Sequence, residues 1–205
     1  MWRNLKSIGM MIPTDSFYNK FSCFYPLVDV FLKPQKQVLF NEVNTLPAGN
    51  LLEIGVGNGA HLPLYKKHYI TGIDTSSEML KIAGKQNHKH VRLLQMDGEA
   101  LQFQDGQFDY VVLSHVIAVV DNPERLFEQV YRVLKPTGRV FILNHFTPNN
   151  WLKHLDRAFG LFSKIVHFKS VFYIHDIATI RSFELLKEVH FGPAAYFKLL
   201  IYQKQ

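Results

Sequence analysis

Apolar and polar positions alternate along residues 38–146 in blocks that predict strands and helices in turn. Five short apolar runs are bounded by turn residues, as expected of buried strands. These runs lie at residues 50–54, 69–74, 91–96, 108–113 and 139–143. Helices are expected over residues 60–67, after Thr75 or Ser76, and after Asn122-Pro123, where the proline would occupy the first helical position. This strict alternation of strand and helix predicts a parallel sheet with crossover helices.

The end of the chain predicts a different arrangement. Residues 176–183 are expected to be helical, whereas residues 185–191 and 195–203 are expected to be strands. A turn near Gly192-Pro193 would join these two strands and place an antiparallel edge on the sheet. A tight turn is also expected at Asp105-Gly106, before the fourth strand.

The chain contains no Gly/Ser-rich linker, internal repeat or low-complexity segment, so one domain over residues 1–205 is expected. Its segments would be an aromatic N-terminal helical lid (1–37), the alternating core (38–146), an amphipathic insertion (147–174), and a C-terminal helix with a strand pair (175–205).

The composition fits an α/β domain and indicates the cellular compartment. Of the 205 residues, 47% are hydrophobic, which is enough for a substantial core. A single cysteine, Cys23, excludes an internal disulfide and fits a reducing cytosol, so a cytoplasmic location is expected. No apolar run approaches the roughly 20 residues that span a bilayer. Lys and Arg outnumber Asp and Glu by 23 to 17, which permits attraction to phosphate but is equally typical of an ordinary basic protein.

Three glycines, Gly55, Gly57 and Gly59, follow the first predicted strand at every second position. Glycine has no Cβ, so the chain can turn sharply there and a ligand can lie against the backbone. The second strand closes on Asp74, where a carboxylate would face the ribose of a bound nucleoside. NAD-binding motifs have the spacing G-x-G-x-x-G, whereas this chain has G-x-G-x-G with Glu53 two positions ahead. The pattern therefore favours a different nucleotide.

Further motifs follow in a fixed order. Asp97 closes the third strand, residues 105–109 are Asp-Gly-Gln-Phe-Asp, and residues 134–138 are Leu-Lys-Pro-Thr-Gly. Together with the glycine motif and Asp74, these elements resemble the class I S-adenosylmethionine-dependent methyltransferases over roughly residues 39–146. The resemblance implies a Rossmann-like fold with a mostly parallel seven-stranded sheet and an antiparallel last strand. It also implies S-adenosylmethionine as the cofactor and S-adenosylhomocysteine as its product.

The resemblance further assigns roles to residues at the strand ends. Glu53 and the three glycines would hold the methionine end of the cofactor, and Asp74 would take the ribose beside Thr75. The residues expected to line the adenine are Met96, Asp97 and Gly98. Those expected to border the sulfonium are Ser114 and His115. His115 could equally be a loop histidine that is bonded to the backbone.

Three features bear on the methyl acceptor. His145 ends the fifth strand, beside the methyl group in this fold, where it could orient or deprotonate a nucleophile or serve only the structure. Residues 149–168 place aromatic and aliphatic side chains on one helical face and cations on the other, which is typical of an interfacial helix or of a lid. Residues 2–11 mix interfacial and cationic side chains in the same way.

Together these features resemble the small soluble bacterial phospholipid N-methyltransferases, which convert phosphatidylethanolamine to phosphatidylcholine. The resemblance also includes residues 72–80, 116–123 and 144–146. Tyr18 and Tyr25 are candidates for an aromatic cage around a methylated cation, or are core aromatics. The family commonly has Tyr-Asp where this chain has Tyr25-Pro26, so a role for that carboxylate is not carried over. The expected partners are a phospholipid substrate and an anionic membrane surface, at the inner face of the cell membrane.

Two other functions stay open at this point. The chain could methylate a soluble or quinone-like small molecule, or could bind cofactor or membrane without catalysis. Nucleic acid is not expected as a substrate, because Ser114-His115-Val116-Ile117 stands where a base-flipping clamp would follow the fourth strand. No metal is expected, because the ten histidines show no metal-ligand spacing. The sequence leaves the oligomeric state open.

Overall fold

The computed structural model describes residues 25–85, 90–145, 174–191 and 197–205, with side chains from residue 34 onward. The chain divides into two units, Met1–Leu32 and Lys33–Gln205, and the strands of the described ranges all belong to the second unit. The expectation of one domain over the whole chain stays a prediction.

A seven-stranded sheet forms the centre of the second unit. Its strands are β1 Asn50–Ile54, β2 Tyr69–Asp74, β3 Val91–Gln95, β4 Phe108–Ser114, β5 Leu134–His145, β6 Phe183–Phe191 and β7 Phe197–Lys204. Their spatial order is β3-β2-β1-β4-β5-β7-β6. The first five strands pair in parallel, β7 is antiparallel to β5, and β6 is antiparallel to β7. The predicted Rossmann-like sheet is confirmed, including its antiparallel edge.

Three α-helices occur in the described ranges: α1 Tyr25–Thr45, α2 Ser77–Gly84 and α3 Pro123–Val133. The predicted start signals of α2 and α3 are confirmed. The Ser76 hydroxyl accepts a hydrogen bond from the Met79 amide, and the Asn122 side chain accepts one from the Arg125 amide. Each cap satisfies a backbone donor that has no partner inside its helix.

The prediction of a helix over residues 60–67 is wrong, and so is the strict alternation of strand and helix. A short 3-10 helix, Leu62–Leu64, connects β1 to β2, and another, Gly98–Ala100, connects β3 to β4. Pro63 lies in the first turn of the 3-10 helix Leu62–Leu64, where its missing amide hydrogen costs no hydrogen bond.

Two other boundaries differ from the prediction. In place of the helix predicted at residues 176–183, the structure has the 3-10 helices Ile174–Asp176 and Ala178–Ser182. The amides of Ala178 and Thr179 donate to the Glu124 carboxylate of α3. β5 begins at Leu134, directly after α3, because Leu134 pairs with Phe108 across an irregular register. The turn predicted at residues 136–138 therefore lies inside β5.

Hydrophobic side chains cover both faces of the sheet. On one face, Leu52 and Ile142 pack in a core that includes α3 and the 3-10 helix at residues 178–182. On the other face, Leu51 and Leu143 pack in a core that includes α1. Since successive side chains of a strand point to opposite faces, this pattern fixes the face of each residue at the strand ends. The carboxyl ends of β1, β2, β4 and β5 meet at one edge of the sheet.

Candidate active site

The glycine turn after β1 has a left-handed backbone at all three glycines, with φ of 74° at Gly55, 56° at Gly57 and 69° at Gly59. The amides of Gly55 and Val56 both donate to the Ile73 carbonyl of β2, at 2.8 and 3.0 Å. A Cβ on Gly55 would lie 2.4 Å from Val116 Cγ2, so the protein itself requires glycine there. Among the described residues, no atom would lie within 4 Å of a Cβ on Gly57. The space over Gly57 is therefore open to a ligand.

Asp74 ends β2 and is bound to the glycine turn. Its Oδ2 accepts a hydrogen bond from the Gly57 amide at 2.8 Å, and its Oδ1 accepts one from the Ser76 amide at 2.9 Å. A carboxylate has about four acceptor positions, so roughly two stay available for hydroxyl groups. The sequence placed Asp74 at this edge, but it did not indicate that the side chain also holds the turn.

The predicted adenine residues lie beside Asp74. The Met96 amide donates to the Asp74 carbonyl at 3.1 Å, and Asp97 accepts a hydrogen bond from the Glu99 amide as the cap of the next 3-10 helix. Gly98 is buried, and a Cβ there would lie 2.7 Å from Ile54 Cγ2. Gly98 is therefore required for packing, while the exposed Asp97 side chain can reach a ligand.

Glu53 is 1% exposed, and both of its carboxylate oxygens have partners. His61 Nε2 lies 2.6 Å from Oε1, and the Tyr65 hydroxyl donates to Oε2 at 3.0 Å. Phe40 of α1 holds both rings, since it stacks on His61 at 5.6 Å and meets Tyr65 edge-on at 4.9 Å. Burial, followed by the charge of Glu53 and the hydrogen bond to it, raises the pKa of the Tyr65 hydroxyl well above its ordinary value.

Sequence reasoning missed His61 and Tyr65 because it placed them on a helix. A signal was nonetheless present. A carboxylate buried at the end of a strand needs hydrogen-bond donors, and the adjoining loop supplies these two.

The ends of β4 and β5 bring two histidines to one aromatic ring. The His115 backbone has a φ of 60°, and its amide donates to the Leu143 carbonyl of β5 at 2.7 Å. The rings of His115 and His145 lie 6.0 and 6.5 Å from the ring of Phe197 on β7. His145 is 5% exposed. Phe197 was not a candidate, because its position depends on the antiparallel pairing of β7 with β5.

Ser114 ends β4 with a buried hydroxyl that has no hydrogen-bond partner among the described residues. Ser114, Glu53 and His145 each lie two residues beyond a strand residue of the core under α1, so all three side chains point to that face of the sheet. A buried hydroxyl without a partner is costly, and its position suits a ligand that would supply one.

The remaining candidate residues from the sequence lie outside the described side chains. Tyr18 and residues 149–168 are not among the described residues, and only the backbone of Tyr25 is described. Along the described ranges, none of the helices is both long enough and apolar enough to cross a bilayer. Within those same ranges, no cluster of three or more His, Cys, Asp or Glu side chains is arranged to hold a metal ion.

Comparison with known proteins agrees with this geometry. The family model described as a methyltransferase domain matches residues 52–142. Phosphatidylethanolamine N-methyltransferase of Cereibacter sphaeroides is 34% identical over 166 residues, which is 77% of this chain and 81% of that protein. The chain belongs to the class I S-adenosylmethionine-dependent methyltransferases. Its cofactor is S-adenosylmethionine.

Other relatives widen the choice of acceptor. Demethylmenaquinone methyltransferase of Streptomyces avermitilis is 29% identical over 156 residues, which is 72% of this chain and 67% of that protein. The crystal structure of an S-adenosylmethionine-dependent methyltransferase of Thermotoga maritima superposes with a TM-score of 0.71 at 22% identity. The superposition covers 93% of this chain and 99% of the Thermotoga chain, and this likeness supports the fold alone. Methyl transfer is therefore established at the family level, and the acceptor is a separate question.

The residues at the edge fit this methyltransferase cofactor. The open space over Gly57 would admit an extended ligand against bare backbone, and Asp74 retains acceptor capacity for ribose hydroxyls. Ser114 supplies a buried hydroxyl in need of a partner.

Proposed function

We propose that this methyltransferase transfers methyl groups stepwise to the amine of phosphatidylethanolamine, toward phosphatidylcholine, at a membrane surface. The observation that carries the proposal is the 34% identity to a phosphatidylethanolamine N-methyltransferase over 77% of the chain. The net charge of +6 supports it, because an anionic surface attracts a basic protein.

On the cofactor side, the glycine turn and Glu53 are proposed to hold the methionine end. Asp74 and Thr75 are proposed to bind the ribose. Met96, Asp97 and Gly98 would line the adenine. Ser114 and His115 would lie near the sulfonium. When bound, the cofactor supplies a methyl group on a positively charged sulfur. The chain's own contribution is to bind and align the two reactants, an effect that can supply several kcal/mol.

On the acceptor side, His145 is proposed to accept a proton from the ammonium group of the substrate. An ethanolamine headgroup carries a protonated amine, and a lone pair is needed for attack. His145 lies buried at the end of β5, on the same face as Ser114, where it can accept that proton or orient the amine. In later rounds the acceptor bears more methyl groups. Tyr18 and Tyr25 are proposed to stabilise that cation, by about 1–2 kcal/mol when water is excluded.

Membrane contact is proposed for the amphipathic residues 149–168 and for residues 2–11. A basic amphipathic segment binds an anionic surface through its apolar face and its cations together. Two such segments bind more firmly than one, and this would hold the enzyme on the inner face of the cell membrane.

The test is a transfer assay with methyl-labelled S-adenosylmethionine and vesicles of phosphatidylethanolamine and phosphatidylglycerol. We expect label in the lipid phase as mono-, di- or trimethylated headgroups. Vesicles of phosphatidylcholine and phosphatidylglycerol are the matched control, since they lack a methylatable amine. Absence of lipid label, with the same enzyme preparation binding S-adenosylhomocysteine, would contradict the phospholipid assignment.

The second candidate function is methylation of a quinone-like small molecule, which the Streptomyces relative favours. It predicts labelling of a demethylmenaquinol in detergent and no labelling of the vesicles. Supplying both acceptors in one reaction decides between the two functions, because they compete for one pocket.

A further inference from the structure

Glu53 is a carboxylate buried beneath the glycine turn at the end of β1. Burial of an ionised carboxylate is costly unless donors satisfy its oxygens. Here one donor serves each oxygen, since His61 contacts Oε1 at 2.6 Å and the Tyr65 hydroxyl donates to Oε2 at 3.0 Å. The sequence expectation was a direct ligand for the cofactor, whereas a side chain that is 1% exposed has almost no free surface for that.

The two donors are themselves fixed. Phe40 of α1 packs against both rings, and His61 is 14% exposed. The two donors flank the 3-10 helix Leu62–Leu64, His61 as its N-cap and Tyr65 as its C-cap, in the connection that follows the glycine turn. The carboxylate, its donors and the turn therefore form one packed unit.

A neutral hydroxyl donor leaves the carboxylate with its negative charge. Tyr65 is such a donor, and burial together with the neighbouring carboxylate raises the pKa of its phenol further above the ordinary value. The charge lies two residues before Gly55, at the base of the turn whose open side faces a ligand at Gly57. An ionised group in a low-dielectric site acts on a nearby cation more strongly than it would in water.

We infer that His61 and Tyr65 are positioning residues, which hold Glu53 so that its charge favours the α-ammonium group at the zwitterionic amino-acid end of the cofactor over ligands that lack that group. The inference rests on the identity of the cofactor and does not depend on the methyl acceptor.

The test compares two ligands by isothermal titration calorimetry, with no acceptor present. S-adenosylhomocysteine carries the amino-acid end, and 5′-methylthioadenosine has the same nucleoside and a thioether without it. The variants are Tyr65→Phe, His61→Leu, and His61→Gln, whose amide nitrogen replaces the Nε2 donor. The matched control is Tyr110→Phe, which removes a hydroxyl that donates to the Pro47 carbonyl at 3.1 Å, at the opposite edge of the sheet.

We expect Tyr65→Phe and His61→Leu each to weaken S-adenosylhomocysteine binding by about tenfold, since each removes a hydrogen bond to a charged group. Their affinity for 5′-methylthioadenosine should change by less than about twofold. His61→Gln should restore most of the loss in His61→Leu. Tyr110→Phe should leave both affinities unchanged.

Equal weakening of both ligands would overturn the inference, because a merely structural role disturbs the whole pocket. Unchanged affinity for S-adenosylhomocysteine in both Tyr65→Phe and His61→Leu would overturn it as well. If Tyr65→Phe fails to fold, the His61→Gln and His61→Leu pair still decides the question through the ratio of the two ligand affinities. If a His61 variant fails to fold, Tyr65→Phe decides it through the same ratio. A failure of the phospholipid assay would leave these binding results unaffected.

Discussion

Replacing Gly57 by alanine tests whether glycine is required there for the stability of the fold or for the space that a bound ligand occupies. Gly57 has a φ of 56°, and a Cβ there would meet no atom of the described part of the chain within 4 Å. The left-handed backbone costs an alanine roughly 1–2 kcal/mol. Alanine also lowers the conformational entropy of the unfolded chain, which offsets about 0.4–1 kcal/mol of that cost. The net loss of unfolding free energy is therefore about 1 kcal/mol, or about 2–4 °C in Tm for a chain of this length.

Gly106 provides the matched control. It lies in the turn before β4, has a φ of 62°, and a Cβ there would come no closer than 3.9 Å, to Lys135 Cα. Gly106→Ala should therefore lower Tm by about 2–4 °C, as Gly57→Ala does. The two variants differ only in what the added methyl group faces, which is solvent at Gly106 and the proposed cofactor at Gly57.

The assay is calorimetric titration with S-adenosylhomocysteine, with Tm measured on the same samples. A methyl group forced into a well-packed contact costs about 1–3 kcal/mol, which weakens binding by about fivefold to a hundredfold. We expect that loss in Gly57→Ala and wild-type affinity in Gly106→Ala. Wild-type affinity in Gly57→Ala would refute the placement of the cofactor over this turn.

The remaining predictions concern Asp74, the strained backbone at Thr137 in β5, and the Glu124 carboxylate. Asp74→Asn should weaken S-adenosylhomocysteine binding by at least about tenfold, because it removes the charge that strengthens hydrogen bonds from ribose hydroxyls. Thr137→Gly should raise Tm by about 2 °C, because Thr137 has a φ of 61° and a β-branched side chain is strained there. The Thr179 hydroxyl holds the pKa of Glu124 below its ordinary value, so the stabilisation by Glu124 is present above about pH 5 and is lost as pH falls through the lowered pKa. The difference in Tm between wild type and Glu124→Gln should therefore shrink between about pH 5 and pH 3.

Each of these predictions has a contrary result. Unchanged affinity in Asp74→Asn would remove Asp74 from the ribose. A lower Tm in Thr137→Gly would mean that the threonine side chain stabilises β5 by more than its backbone strain costs. Glu128→Gln, on the exposed side of the same helix, is the control for Glu124, and an equal pH dependence in both variants would contradict the capping role.

Local signals predicted the parts of the fold that depend on local chemistry. The caps Ser76 and Asn122 are short-range hydrogen bonds, so residue type and spacing were enough to find them. Asp74 was placed at the edge because the apolar run of β2 ends there. The three glycines were recognised as a turn, and the structure adds that Gly55 is required by Val116 while Gly57 is left for a ligand.

Contacts between distant segments were not predictable in the same way. β5 starts at Leu134 because Phe108 pairs with it, and no pattern within residues 134–138 reveals that partner. Phe197 reaches the two histidines only because β7 inserts beside β5. The donors to Glu53 were hidden by the expectation of a helix over residues 60–67, where the structure has only the 3-10 helix Leu62–Leu64.

A crystal structure with S-adenosylhomocysteine tests the central claim most directly, because it locates the ligand without reference to any acceptor. The account predicts density for the ligand over Gly57, with its ribose hydroxyls within hydrogen-bond distance of the Asp74 carboxylate. Density at any other place, with the Gly57 turn and Asp74 free of contact, would contradict it.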